Sequence, residues 1–234
     1  MKGLVLNVLA CAFMVTAFTT CGSKGGNSGI MKMTTEVDDE IEFYLCGSGV
    51  VTVDWGDGSE KEILTLNEEC VEFHHHYTDA KIHEIIIHGD QMVSMRCDRC
   101  ELTHLDVSQN TALTFLDCSN NQLARLDMSA NSELAYLNCS YNQLTRLDMS
   151  KNTALAYLDC SYNQLTSLDM SQNMALTILV CQANQLTTAA LQALFGSLHD
   201  NTIPRETKEI HIYRNEGEND CDRSIAINKG WSVI

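Results

Sequence analysis

Leu155-Ala156-Tyr157-Leu158-Asp159-Cys160-Ser161-Tyr162-Asn163-Gln164-Leu165 is the stretch whose reading decides the fold. The same pattern stands at Leu113–Leu123, Leu134–Leu144 and Leu176–Leu186, so Cys118, Cys139, Cys160 and Cys181 recur every 21 residues. Cys97 extends the series backwards, and Leu105, Leu126, Leu147 and Leu168 keep the same period. So do two asparagine series: Asn121, Asn142, Asn163 and Asn184, and Asn110, Asn131, Asn152 and Asn173. A fixed period near twenty marks a solenoid, in which each turn of chain covers its neighbours. Alternation on a short strand turns Leu155, Leu158, Cys160 and Leu165 inward, and Leu168, Met170 and Leu176 close the coil from the return path. One such coil buries too little to stand alone, so its neighbours must supply the missing contacts.

The segment fits L-x-x-L-x-L-x-x-N-x-L with Cys160 in a Leu slot, and it resembles the leucine-rich-repeat family over roughly residues 92–200. That resemblance implies a solenoid with a concave strand face. The cysteines then read as small buried hydrophobes. Neighbouring thiols on strands about 4.8 Å apart lie within bridging range, but in-register parallel side chains point the same way, so no bridges are expected. Cys97-Asp98-Arg99-Cys100 has C-x-x-C spacing. Cys97 falls in the Cys slot and Cys100 in the Asn slot, so both read as structural rather than as a zinc or redox pair. Each corner Asn needs backbone partners, and each coil repeats the solution. Thr187 to Leu198 has helical apolar spacing with Thr187 or Thr188 as cap, Ile210 to Asn215 mimics one more strand and corner, and Ser224 to Lys229 forms a short helix ended by Gly230. This stretch resembles the C-terminal cap of bacterial repeat proteins.

Ahead of the repeats the apolar period is two: Ile41, Phe43, Leu45; Val51, Val53, Trp55; Val71, Phe73, His75, Tyr77. Val51-Thr52-Val53-Asp54-Trp55-Gly56-Asp57-Gly58-Ser59, with His75 or His76 before Tyr77, resembles the signature of the polycystic-kidney-disease (PKD) domain. The resemblance implies a small Ig-like β-sandwich that acts as a spacer or a protein- or glycan-facing module. Cys46 and Cys70 are a candidate disulfide pair in an oxidising compartment. Ile82 to His88 is expected to run straight from this unit into the first coil.

At the start, Met1-Lys2 and an apolar run to Phe18 have the length of a signal-peptide core and fall short of a membrane span. Phe18-Thr19-Thr20-Cys21 resembles a bacterial lipobox with Thr20 in place of the usual Gly or Ala. It implies cleavage after residue 20, a lipid on Cys21 and attachment to a membrane. Expected organisation is therefore a signal peptide (1–20), a flexible tether (21–29), the PKD-like unit (30–90), the solenoid (91–200) and a cap (201–234). The fold class expected is mainly β with some α.

The chain has 234 residues, with Lys+Arg 15 against Asp+Glu 31, a net charge of −16. That balance argues against nucleic acid, which needs a clustered basic surface. His83-Glu84-Ile85-Ile86-Ile87-His88 carries one residue too many for a zinc-protease helix, and three isoleucines favour a strand. In His74-His75-His76 adjacent side chains point to opposite faces. No nucleophile sits beside a placed base and no phosphate loop occurs, so no catalytic residues, metal or cofactor are expected. The Asp106, Asp127, Asp148 and Asp169 column reads as carboxylates accepting backbone hydrogen bonds, with Arg125 and Arg146 offsetting repulsion; weak calcium binding is the alternative.

The outward strand positions form columns, and the candidate ligand-binding residues are Phe115, Asp117, Tyr136, Asn138, Tyr141, Tyr157, Asp159 and Tyr162. Exposed aromatics beside carboxylates and hydroxyls stack on a partner and hydrogen-bond its edges; the alternative is that stacked tyrosines stabilise neighbouring strands, and both can hold. The function expected is non-enzymatic recognition or adhesion at the cell envelope by a monomeric, extracytoplasmic outer-membrane lipoprotein, with a protein or glycan as partner. The alternative is an accessory glycan-binding subunit of a surface polysaccharide uptake system.

Overall fold

The structure is a computed structural model and describes residues 29–66, 69–201 and 207–234. The leader, the lipobox and Cys21 lie outside the described residues, as does the tether apart from Gly29. Among the described residues twelve strands are joined in one connected sheet, in which β1 is Gly29–Thr35, β2 Glu40–Asp54, β3 Glu62–Leu66, β4 Val71–His76, β5 His83–Arg96 and β6 Leu102–Asp106. The coil strands follow as β7 (Phe115–Asp117), β8 (Tyr136–Asn138), β9 (Tyr157–Asp159) and β10 (Ile178–Val180). After them come α1 (Thr188–Ser197), β11 (Lys208–His211), α2 (Ser224–Ile227) and β12 (Trp231–Val233).

The ladder β7 to β12 is parallel, with Phe115 opposite Tyr136 opposite Tyr157 opposite Ile178 opposite Glu209. Its interior is as the period dictates: Leu116, Cys118, Leu123, Leu126 and Met128, and their equivalents in the next two coils, are buried in one continuous core. The thiols of Cys97, Cys118, Cys139, Cys160 and Cys181 are buried and unbridged. Burial raises all of them, pushing Cys181 up to about 12.

Polar groups inside the coils are matched between neighbours. Asn163 Nδ2 donates to the carbonyls of Cys139, Cys160 and Ser161, and its Oδ1 accepts from Leu144 N. Asn142 and Asn184 repeat this one coil away on each side. In the second series Asn152 Nδ2 donates to Met128 O and Asn131 O, and Asn173 to Met149 O and Asn152 O. The return-path carboxylates of Asp106, Asp127, Asp148 and Asp169 each accept the N–H two residues on, from Ser108, Ser129, Ser150 and Ser171. Arg125 and Arg146 form no ion pair with this column among the described residues. The column is held locally by Asx turns instead.

The last coil is enlarged. The bond from a corner Asn Oδ1 to the preceding coil's Leu N spans 19 residues at Asn184 but 29 at Asn215. The extra chain is the cap helix α1, whose first turn is capped by Thr187 accepting from Ala190 N. Gly217 donates to Leu186 O, and a Cβ there would stand 2.0 Å from Thr188 N, so this close approach requires glycine. Lys208 Nζ donates to the carbonyls of His199, Asn201 and Lys229 and lies 5.5 Å from the Trp231 ring centroid.

The sequence places a boundary between residues 90 and 91; β5 runs straight across it. Its first half pairs antiparallel with β1, and Ser94–Arg96 pairs parallel with β7. Tyr44–Asp54 of β2 pairs antiparallel with β5, with breaks at Cys46/Gly47 and Ser48/Val51. A Cβ on Gly47 would stand 1.9 Å from Gln91 O, which is why the break carries glycine. β6 pairs antiparallel with β1, so the first coil is stitched to the N-terminal strands, and β1 starts at Gly29, the last residue assigned to the tether. Cys46 and Cys70 form a disulfide. Trp55 and Tyr77 are core residues, with the Tyr77 hydroxyl donating to Trp55 O.

Candidate ligand-binding face

Each coil strand turns one residue inward and its two neighbours outward. The outward residues of β7–β10 stack in register because the ladder is parallel. The first column is Phe115, Tyr136, Tyr157 and Ile178, which form a cluster separate from the main core. Phe115 and Tyr136 stack with centroids 4.4 Å apart, and Tyr136 and Tyr157 repeat that distance. The sequence marks these rings as exposed; the structure corrects this, since Phe115, Tyr136 and Tyr157 retain only 2 %, 5 % and 9 % of their accessible surface. In-register rings cover one another's faces, and burial pushes the hydroxyls of Tyr136 and Tyr157 well above the ordinary tyrosine range. The column ties adjacent coils together and leaves little for a partner to touch.

The second column is Asp117, Asn138 and Asp159. Here too local bonds use up the side chains. Asp117 accepts from Ser119 N, Asn138 accepts from both Ser140 N and Ser140 Oγ, and Asp159 does the same with Ser161. Burial holds Asp117 and Asp159 above the usual carboxylate range. These residues end each strand in an Asx turn.

The chain then enters a left-handed backbone conformation at one equivalent position in each coil, and in the first coil a second time at Glu101. Arg99, Asn120, Tyr141, Tyr162, Ala183 and Arg214 have φ between 52° and 62° and occupy equivalent places in successive coils. Asn favours this region; Tyr does not, and the conformation costs roughly 1–2 kcal/mol for a residue with a Cβ. The turn alone therefore gives no reason for tyrosine at two of these positions. Tyr141 and Tyr162 stack on each other with centroids 4.1 Å apart and planes 8° apart. Tyr141 is 48 % exposed and Tyr213 40 % exposed. The Tyr162 hydroxyl stands 3.5 Å from that of Tyr213, Arg214 donates to the Tyr162 hydroxyl, and the Arg214 guanidinium lies 5.3 Å from the Tyr213 centroid.

Of the eight residues picked from sequence, only Tyr141 and Tyr162 present accessible rings. Sequence reasoning passed over Arg99, Tyr213 and Arg214. Counting one period back from Asn120 finds Arg99; Tyr213 and Arg214 are hidden by the inserted cap helix, which breaks the period. Of the histidines in the two sequence motifs, three meet carboxylates: His75 pairs with Asp57 at 2.7 Å, His76 with Asp39 at 3.0 Å and His83 with Asp79 at 2.9 Å.

The molecule defined by these features is a mostly β protein whose repeat half is a β-solenoid with a coil of about 21 residues. No family model matches the chain, and no curated protein matches it. Among solved structures, the functional domain of InlJ from Listeria monocytogenes, which includes a cysteine ladder, is similar at 29% identity and a TM-score of 0.42. That match covers 56% of this chain and 33% of that one. An internalin, InlF, from Listeria monocytogenes strain 4b F2365 is similar at 16% identity and a TM-score of 0.42, over 54% of this chain and 42% of that one. The chain thus matches under half the length of either protein. The fold assignment rests on the register and burial of the coils themselves.

Proposed function

We propose that this chain is a non-enzymatic recognition protein of the bacterial cell envelope, carrying a PKD-like β unit and a leucine-rich-repeat-type solenoid and anchored by a lipid on Cys21. A protein or glycan ligand is gripped on the outward strand-end ridge of the coils. The observation that carries this reading is the stacked pair of exposed Tyr141 and half-buried Tyr162 on a strained backbone. A turn that tolerates Asn120 and Ala183 has no structural need for these rings, whereas large amphipathic side chains at fixed spacing on a rigid ladder suit recognition. The buried aromatic column beneath supplies the rigidity.

The test is binding by Tyr141→Ala/Tyr162→Ala against the wild-type chain, on a protein panel and a glycan array. Loss of binding with an unchanged circular dichroism spectrum supports the reading; undiminished binding overturns it. Hits confined to the glycan array move the protein to the accessory role in polysaccharide uptake.

A further inference from the structure

The left-handed column reads Arg99, Asn120, Tyr141, Tyr162, Ala183, Arg214 along the solenoid, a near-palindrome of cation, short side chain, ring, ring, short side chain, cation. Each tyrosine therefore has one face against its partner and one over a short residue, with an arginine one coil further on. On the Ala183 side Tyr213 comes up to Tyr162 by its hydroxyl. Tyr213 is held there between the Tyr162 hydroxyl and the Arg214 guanidinium. On the Asn120 side the place equivalent to Tyr213 is taken by Asp98, which accepts from Arg96 Nε at 2.6 Å. Asn120 reaches only its neighbour, Ser119 Oγ. Arg99 is exposed and makes no ion pair among the described residues.

The dimensions suit one ring. Two coil spacings separate the backbones of Tyr141 and Arg99, roughly 9–10 Å. A flat group touching a ring on one side and a guanidinium on the other needs about 7–8 Å, twice the carbon contact distance. A cation over a ring face adds attraction that an aliphatic occupant would not receive. The net charge of −16 attracts a basic segment to the chain at long range.

We propose that the slot between Tyr141 and Arg99, floored by Asn120, receives an aromatic side chain from a basic segment of a protein partner. The ring lies against Tyr141 as the next member of the stack, under the Arg99 guanidinium. This rests on the recognition reading above and narrows it to one pocket and one partner chemistry.

The test uses the full chain with labelled tyrosine rings and the probe peptide Lys-Trp-Lys amide. Expected is a saturable shift of the Tyr141 ring signals, about tenfold weaker with Lys-Ala-Lys amide and in Arg99→Ala, as loss of a cation–π contact implies. Asn120→Tyr fills the slot from within. Tyrosine already occupies that backbone position at 141 and 162, so this variant is expected to fold, to extend the stack and to lose the peptide response. No response in the wild-type chain, an equal response in Asn120→Tyr, or a response to oligosaccharides and not to the peptide overturns the proposal. If Tyr141→Ala/Tyr162→Ala abolishes ligand binding while Asn120→Tyr preserves it, the recognition ridge stands and the slot falls.

Discussion

At the scale of single residues, the corner asparagines tie neighbouring coils in register. Asn163 gives its amide hydrogens to three carbonyls and its oxygen to one N–H, across two coils. Asn163→Ala leaves those buried backbone groups unmatched. The expected loss is about 2–4 kcal/mol, read as a lower denaturation midpoint at unchanged slope. Tyr157→Leu removes a ring from the buried stack and is expected to cost about 1 kcal/mol or more, since the lost ring contact adds to the lost area. The thiols make a different kind of prediction. Folding raises their pKa, so the native chain keeps protons that the unfolded chain releases above about pH 8.5. Stability from these groups is complete below that pH and falls as pH rises toward their folded values. Each buried thiol contributes a slope of about 1.4 kcal/mol per pH unit in that window. Cys139→Val is expected to flatten the alkaline fall in denaturation midpoint by about that amount.

At the scale of elements, the unit is the coil rather than the strand. The strands β7 to β10 are three residues each, far below what an isolated sheet sustains, and only stacking makes them stable. Because successive coils are equivalent, removal of residues 134–154 should bring Glu133 onto Leu155 with every column still aligned. The expected product folds, with the strand spectrum retained and a lower melting temperature. Deleting one residue more turns every inward side chain outward over the following strand, and that variant is expected to be unfolded by circular dichroism. The period is legible from the recurring Cys, Leu and Asn positions, so the fold of this half was legible too. The enlarged last coil was legible only in outline, because its Asn215 corner follows a helix whose length no repeat dictates.

At the scale of the whole molecule, β5 makes the two halves share a strand. It carries β1 on its first half and β2 along most of its length, and its last three residues also pair with β7. Unfolding is therefore expected to be a single transition, with ring fluorescence and far-ultraviolet dichroism coinciding; two separated transitions would show that the shared strand does not couple the halves. The Cys46–Cys70 disulfide closes a span of 24 residues within the N-terminal strands. Its reduction is expected to cost about 3–4 kcal/mol of stability in the chain-entropy view. If β5 couples the halves, the solenoid signal moves with it.

The sequence by itself determined the coil, its period, its buried thiols and asparagines and the cap that closes it. These follow from spacing, since a fixed period places identical side chains in identical surroundings. It also picked out the strand positions that alternate with the buried leucines. Which of them remain accessible was decided by tertiary structure alone. Stacking at 4.4 Å closes Phe115, Tyr136 and Tyr157 upon one another, and Asx turns consume Asp117, Asn138 and Asp159. The ridge of Tyr141, Tyr162, Tyr213 and Arg214 forms only when the left-handed corner of each coil and the inserted helix bring residues from separate periods side by side. Exposure is a property of neighbours in space, and a repeat in the sequence fixes a residue's direction without fixing what lies above it.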